Sequence, residues 1–208
     1  MLELFKIYDC GLPLKRYGND YDGGYIIADG LDYDCFISGG AGSNITFESD
    51  FLKENKIPAY VFDSSVYMTS NDFLFHHENI DSEHNLHEYL SKYHNMFLKL
   101  DIEGSEFLWF DILPIELQKN IKQIVIEFHG AEQSIPYIKQ LQQTHTLIHL
   151  HGNNYSPMVT IEGRGFPNVY EVTFLRNDFE FKLSETKLPC ELDMPNNPSN
   201  NEINLNFL

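Results

Sequence analysis

A chain of 208 residues with 42% hydrophobic, 14% aromatic and 22% charged residues can bury a full core, which excludes a disordered chain and fits one domain spanning residues 1–208. Its 31 acidic against 14 basic residues give a formal net charge of -17, which repels a phosphate backbone or an anionic membrane, so nucleic acid is excluded as a partner and a small molecule fits better. Three cysteines without CxxC spacing, the lack of a basic start before an apolar run, and no apolar stretch of about 18 residues argue against a disulfide framework or a thiolate zinc site, a secretory leader and membrane insertion. The expected location is cytoplasmic, and the host cytoplasm if the source is viral. Oligomeric state is left open.

In chain order, residues 1–34 form a lead-in whose RYGNDYDGGYIIADG stretch predicts a hairpin or irregular turn, because Asp22-Gly23-Gly24 is turn chemistry followed by a β-prone run. Five apolar runs then read as strands: YDCFISGG, PAYVFDSS, NDFLFHHE, MFLKLDIEG and IKQIVIEFHG. Helix-compatible stretches lie at Ile45–Lys56, Ser82–Tyr93, Glu106–Asn120 and Gln133–Gln143, and this alternation predicts an α/β fold with a mostly parallel sheet covered on both faces. TLIHLHGNNY and NVYEVTFLRND, joined by a Gly- and Pro-bearing loop, predict an antiparallel pair at one edge. The Asn- and Pro-rich residues 193–208 predict a flexible tail.

Ligands of parallel sheets bind beyond the carboxyl ends of the strands. The first of the five runs ends in Gly39-Gly40-Ala41-Gly42, where absent side chains let the backbone turn and approach a ligand closely. Twenty-one residues past Gly42, the second run ends in Asp63 and Ser64, the position where a nucleoside-binding fold places a carboxylate for ribose hydroxyls. A GxGxxG fingerprint begun at Gly40 would need a small residue at Ile45, so pyrophosphate binding is disfavoured. A phosphate-free nucleoside such as S-adenosylmethionine suits the truncated motif and its acidic surroundings.

The fourth run delivers Asp101, Glu103 and Glu106, and the fifth delivers Glu127 and His129, which share a face because strand residues alternate. Asp101, Glu127 and His129 form a ligand set that Mg²⁺ or Mn²⁺ accepts, and His129 or Asp101 can alternatively act as a base toward a hydroxyl. Glu106 is expected to favour the following helix N-terminus instead. In HLHGNNY, His149, His151 and Asn153 alternate onto one side; His151 is a second candidate base, and Asn153 and Asn154, with Glu103, are candidate groups for hydroxyls of a substrate. His76, His77, His84, His87 and His94 read as surface or packing residues.

The ordered set of Arg16, Gly18 and Asp22-Gly23-Gly24-Tyr25, ISGGAGSNITFE, FLKLDIEGSEF, VIEFHG and HGNNY resembles the FkbM-like class I methyltransferases over residues 15 to 175. The resemblance implies a Rossmann-like sheet with an antiparallel final strand, S-adenosylmethionine held by Gly39 to Gly42, Asp63, Ser64 and Asp101, and O-methylation of a sugar or glycan hydroxyl. It also implies a divalent metal at Asp101 and Glu127, although His129 stands where such relatives often carry an acid. The competing readings are a nicotinamide-dependent oxidoreductase and a non-catalytic nucleoside-binding scaffold.

Overall fold

The computed structural model describes residues 1–208. After a short 3₁₀ turn, the chain runs through β1 (Tyr8–Asp9), β2 (Leu14–Tyr17) and β3 (Tyr25–Ala28). It then alternates through β4 (Cys35–Gly39), α1 (Thr46–Glu54), β5 (Ala59–Phe62), β6 (Leu74–His76), α2 (His87–Lys92) and β7 (Met96–Leu100). There follow α3 (Glu106–Ile112), α4 (Ile115–Gln118), β8 (Ile121–His129) and α5 (Ala131–Leu141). It closes with β9 (His145–Gly152), β10 (Met158–Ile161), β11 (Arg164–Pro167), β12 (Val169–Arg176) and β13 (Lys182–Leu183).

Seven strands form the central sheet in the order β6-β5-β4-β7-β8-β12-β9. Strands β6, β5, β4, β7 and β8 are mutually parallel, and β12 runs antiparallel to both β8 and β9. This is the Rossmann-like α/β sheet anticipated from the sequence, mostly parallel with an antiparallel final strand. The reversed strand is inserted between β8 and β9, so β9 forms one edge of the sheet and β6 the other.

The interior strands are largely apolar because helices and hairpin cover both faces, and their few polar residues are buried with partners or at the site. Alternation assigns Ile37, Leu98, Ile124, Ile126 and Phe128 to one core with Trp109 and Phe110, while Phe36, Phe97, Val61 and Val125 face Phe47 and Phe51 on the other side. The β2–β3 hairpin lies over that second face, where Gln123 of β8 receives the Ala28 N–H at 2.8 Å and Thr173 of β12 donates to the Ile26 carbonyl at 2.5 Å. Arg16 clamps the hairpin turn by donating to the carbonyls of Asn19 and Tyr21.

Three expectations are corrected. The stretch Glu106–Asn120 is two helices, α3 and α4, because Pro114 lacks an N–H and forces Leu113 into an extended conformation. Of Ser82–Tyr93 only His87–Lys92 is helical, since the Asp81 and Asn85 carboxylate and amide oxygens capture the N–H groups of Glu83, His84 and His87 in turns. The tail from Asp193 is packed against the sheet, with Asp193, Asn196 and Leu205 buried. Asn154 fastens it, donating to the carbonyls of Asn197 and Asn200 and accepting the Asn197 N–H at 2.6 Å.

Candidate active site

Two cavities open at the carboxyl ends of β4, β5, β7 and β8. The larger, about 470 Å³, is walled by Gly40, Ala41 and Gly42 after β4, by Asp63 and Ser65 after β5, and by Lys99, Asp101 and Glu103 of β7 and the turn after it. Asp22 and Gly23 of the hairpin turn complete its rim. Gly40 has φ +75, and a Cβ there would stand 1.6 Å from the Asp101 carbonyl oxygen, so only glycine allows these two loops to touch.

Asp63 closes the far end of the loop. Its carboxylate accepts the Gly42 N–H at 2.7 Å on one oxygen and the Ser65 N–H and hydroxyl at 2.7 and 2.6 Å on the other. Burial opposes its ionisation, but the Ser65 hydroxyl and the Gly42 and Ser65 amides outweigh that and hold the acid below its ordinary value. An ionised carboxylate thus faces the cavity. Lys99 is its one buried cation, with Nζ 3.6 Å from the buried Glu48 and 5.1 Å from the centre of the Tyr25 ring.

The second cavity, about 290 Å³, shares Asp22, Asp101 and Glu103 with the first and adds Glu127, His129, Asn153, Tyr155 and Ser156. His129 is its centre. Its Nδ1 lies 3.1 Å from Oε1 of the buried Glu106, and its Nε2 faces Glu103 at 3.3 Å, Glu127 at 3.6 Å and Asp101 at 4.0 Å. Glu106 therefore holds a proton on Nδ1, and Nε2, which faces the other acids, is the nitrogen that binds and releases the second proton. Burial alone would lower the imidazole's proton affinity, yet Glu106, by hydrogen bond and by charge, and then Asp101 and Glu103 raise it above the ordinary value.

The surrounding acids are held just as specifically. Asp101 accepts the Tyr25 hydroxyl at 2.7 Å through Oδ2, and its buried Oδ1 has no hydrogen-bond partner. Burial, and then Asp101, push the Tyr25 phenol well above its ordinary value, so it stays a donor. Glu127 receives the Asn153 amide at 2.7 Å, while burial and the negative charge of Asp101 and Glu171 push its carboxyl well above the usual range. Glu103 has φ +53, a left-handed conformation costing about 1 kcal/mol in a non-glycine residue, and this places its carboxylate over the mouth of the site.

Of the residues singled out in the sequence, Gly40, Ala41, Gly42, Asp63 and Asp101 line the first cavity, and Asp101, Glu103, Glu127, His129 and Asn153 line the second. Gly39 lies behind the loop against Ile80, Leu100 and Ile102, and the exposed Ser64 turns to Asn79, leaving Ser65 at the cavity. His151 is removed from both cavities. Its ring is sandwiched between Glu171 at 3.4 Å and Glu202 at 3.2 Å, which overcome burial and drive its proton affinity up to about 11, so it remains a cation rather than a base. Asn154 binds the tail, not a substrate cavity. Glu106 is the first residue of α3, the helix N-terminus expected for it, and it also accepts the Ile102 N–H and orients His129. Sequence reasoning gave no role to Tyr25, Lys99, Ser65 or Glu171, of which Tyr25 was signalled by its place in the DGGY motif.

The strand order, with its glycine loop after β4 and acid after β5, makes a Rossmann-like sheet like that of class I methyltransferases. No protein-family model and no curated protein matches the sequence. Solved structures similar to it include a Streptococcus mutans protein provisionally described as a methyltransferase and bound to SAH, at 15% identity over 70% of this chain and 88% of that chain, TM-score 0.40. Others are a precorrin-6y C5,15-methyltransferase from Geobacter metallireducens, at 10% identity over 71% and 84%, TM-score 0.42, and the tRNA (m1A58) methyltransferase TrmI of Aquifex aeolicus, at 12% identity over 69% and 62%, TM-score 0.40.

Proposed function

We propose that the protein is an S-adenosylmethionine-dependent O-methyltransferase whose acceptor is a hydroxyl of a sugar or glycan. The observation that carries this reading is the shared wall: Asp22, Asp101 and Glu103 line both cavities, so a ligand in the glycine-loop cavity meets one in the His129 cavity at Asp101. The first cavity falls within the usual range for small ligands, about 300–1,000 Å³. It presents Asp22, Asp63, Asp101 and Glu103 against the one cation Lys99, which Glu48 already engages. That charge balance suits a sulfonium and opposes a pyrophosphate, which favours this cofactor over a nicotinamide dinucleotide.

S-adenosylmethionine, when bound, supplies a methyl group made electrophilic by its sulfonium. The chain's own residues do the rest. Asp63 offers its ionised carboxylate to the ribose hydroxyls, and Asn153 and Glu103 offer an amide and a carboxylate to acceptor hydroxyls. His129 Nε2 takes the proton of the attacking hydroxyl, while Glu106 and the alignment imposed by the cavity walls position the base. Methyl transfer from isotopically labelled S-adenosylmethionine to a panel of mono- and oligosaccharides tests the reading. Labelled sugar ether supports it; label appearing only on carboxyl- or nitrogen-bearing acceptors overturns the O-methyl assignment.

Asp63→Ala is expected to weaken S-adenosylmethionine binding at least about tenfold, since each charge-assisted hydrogen bond contributes about 1.5–3 kcal/mol. Calorimetry giving equal affinity would place the ribose elsewhere. The raised proton affinity of His129 sets the pH dependence: the base is free only above its raised value, so kcat/KM should climb through an apparent pKa above 6.5. Glu106→Gln removes the principal source of that rise and shifts the climb toward lower pH. An unshifted profile would separate Glu106 from the base.

A second reading is favoured by Asp101 Oδ1, a buried acceptor without a partner, and by the ligand atoms of Asp101, Glu127 and His129 lying within 4.8 Å of one another. These residues would hold Mg²⁺ or Mn²⁺, which would lower the acceptor hydroxyl's pKa. Turnover abolished by EDTA and restored by either ion supports this variant of the chemistry. Full turnover in EDTA leaves His129 as the base.

A further inference from the structure

We propose a second, separate metal site, a Zn²⁺ site made by His149 of β9 with Cys190 and Asp193 of the C-terminal segment, which staples that segment to the sheet. Their ligand atoms lie within 4.8 Å of one another, His149 Nε2 being 3.1 Å from Asp193 Oδ1 and 3.8 Å from Cys190 Sγ. Zinc bonds of about 2.3 Å to sulfur and about 2.0–2.1 Å to nitrogen and oxygen, set at tetrahedral angles, put neighbouring ligands roughly 3.3–3.6 Å apart. The observed separations bracket that range. The donor set of thiol, imidazole and carboxylate is one that zinc takes and that Mg²⁺ or Ca²⁺ does not.

A second observation points to a bound cation. The Asp193 side chain is 1% exposed, and its Oδ1, despite lying so near His149, makes no hydrogen bond. The 3.1 Å approach of His149 Nε2 is an ion-pair distance without hydrogen-bond alignment. Its other oxygen is used to build the loop: Oδ2 accepts the Cys190 N–H at 2.6 Å, and the Asp193 N–H returns to the Cys190 carbonyl. This closed Cys190-x-x-Asp193 turn presents Sγ and Oδ1 together, at the spacing common for paired zinc ligands. A cavity of about 220 Å³, lined by both His149 and Cys190, gives entry and room for a water as fourth ligand.

None of the three residues lines either active-site cavity. Binding releases the thiol proton of Cys190, and any proton on His149, to solvent, leaving thiolate and imidazole on the metal. The staple also supports the active-site wall, because Asn196, three residues past Asp193, donates to Glu171 at 2.8 Å and to Asp22 at 3.4 Å.

Titration of the full chain with Co²⁺, a spectroscopic substitute for zinc, tests the assignment. The expected result is a thiolate-to-cobalt charge-transfer band that saturates at one equivalent, is bleached by Zn²⁺, and is lost in Cys190→Ser. It should persist in Cys10→Ser, in Cys35→Ser and in Glu127→Gln, which separates it from the other thiols and from the acidic cluster of the active site. Asp193→Asn retains the thiol and should weaken cobalt binding, providing the test where Cys190→Ser does not fold by circular dichroism. A wild-type spectrum without the band, a band surviving in folded Cys190→Ser, or unchanged affinity in Asp193→Asn would overturn the site.

Discussion

Replacing His129 with alanine lowers methyl-transfer kcat by about 10²–10⁴-fold, the range a positioned general base supplies, and leaves the affinity for S-adenosylmethionine unchanged. The separation follows from position, since His129 lines the second cavity but not the first. Its imidazole also stands among Asp101, Glu103, Glu106 and Glu127, so its removal leaves those acids without the cation between them, and lower stability accompanies the loss. His129→Gln keeps an amide that can donate to Glu106, and serves where the alanine variant does not fold. Steady-state kinetics beside calorimetry reads both quantities. Turnover near that of the wild type in a folded variant would remove His129 from the chemistry.

The second large effect belongs to the loop. Gly40→Ala drives a Cβ to 1.6 Å from the Asp101 carbonyl oxygen and 2.6 Å from its carbon, both backbone atoms that cannot rotate aside. Relief requires the loops after β4 and β7 to part, straining the Gly40 N–H to Phe62 and Asp101 N–H to Gly39 hydrogen bonds. The expected cost is about 2–4 kcal/mol, combining overpacking with the left-handed backbone, and cofactor binding should fall below detection. Gly42→Ala is the control: its φ is +55 but nothing lies within 4 Å of the added carbon, so the cost is about 1 kcal/mol. Urea unfolding and calorimetry on both variants test the contrast. Equal behaviour of the two would contradict the close loop contact.

The sheet was legible because its strands are continuous apolar runs ending in glycine or acid, and alternation correctly put Glu127 and His129 on the face opposite Phe128. What escaped the sequence depends on long-range pairing. Glu171 of β12 pairs across to both Glu127 of β8 and His151 of β9, so one inserted strand places a carboxylate beside the supposed second base. The tail then adds Glu202 on the other side of that ring. Alternation assigned His151 a face but could not say what would cover it. Tyr25 reaches Asp101 across 76 residues of sequence, a contact made by laying the β2–β3 hairpin over the sheet. Glu106 read as helix chemistry because the dipole argument is local, whereas its partner His129 comes from another strand. Lys99 was hidden inside an apolar run, where its buried charge is matched by Glu48. The split of α3 from α4 was readable from Pro114 alone.

The central claim rests on the glycine-loop cavity taking a sulfonium nucleoside. Calorimetric titration of the full chain with S-adenosylmethionine and with its demethylated product, in EDTA and then with Mg²⁺ or Mn²⁺, tests it most directly. The expected result is micromolar binding of about one equivalent in every condition, lost in Gly40→Ala and weakened in Asp63→Ala, with any metal dependence confined to turnover. No heat of binding for either compound under any of these conditions, from protein shown to be folded, would contradict it.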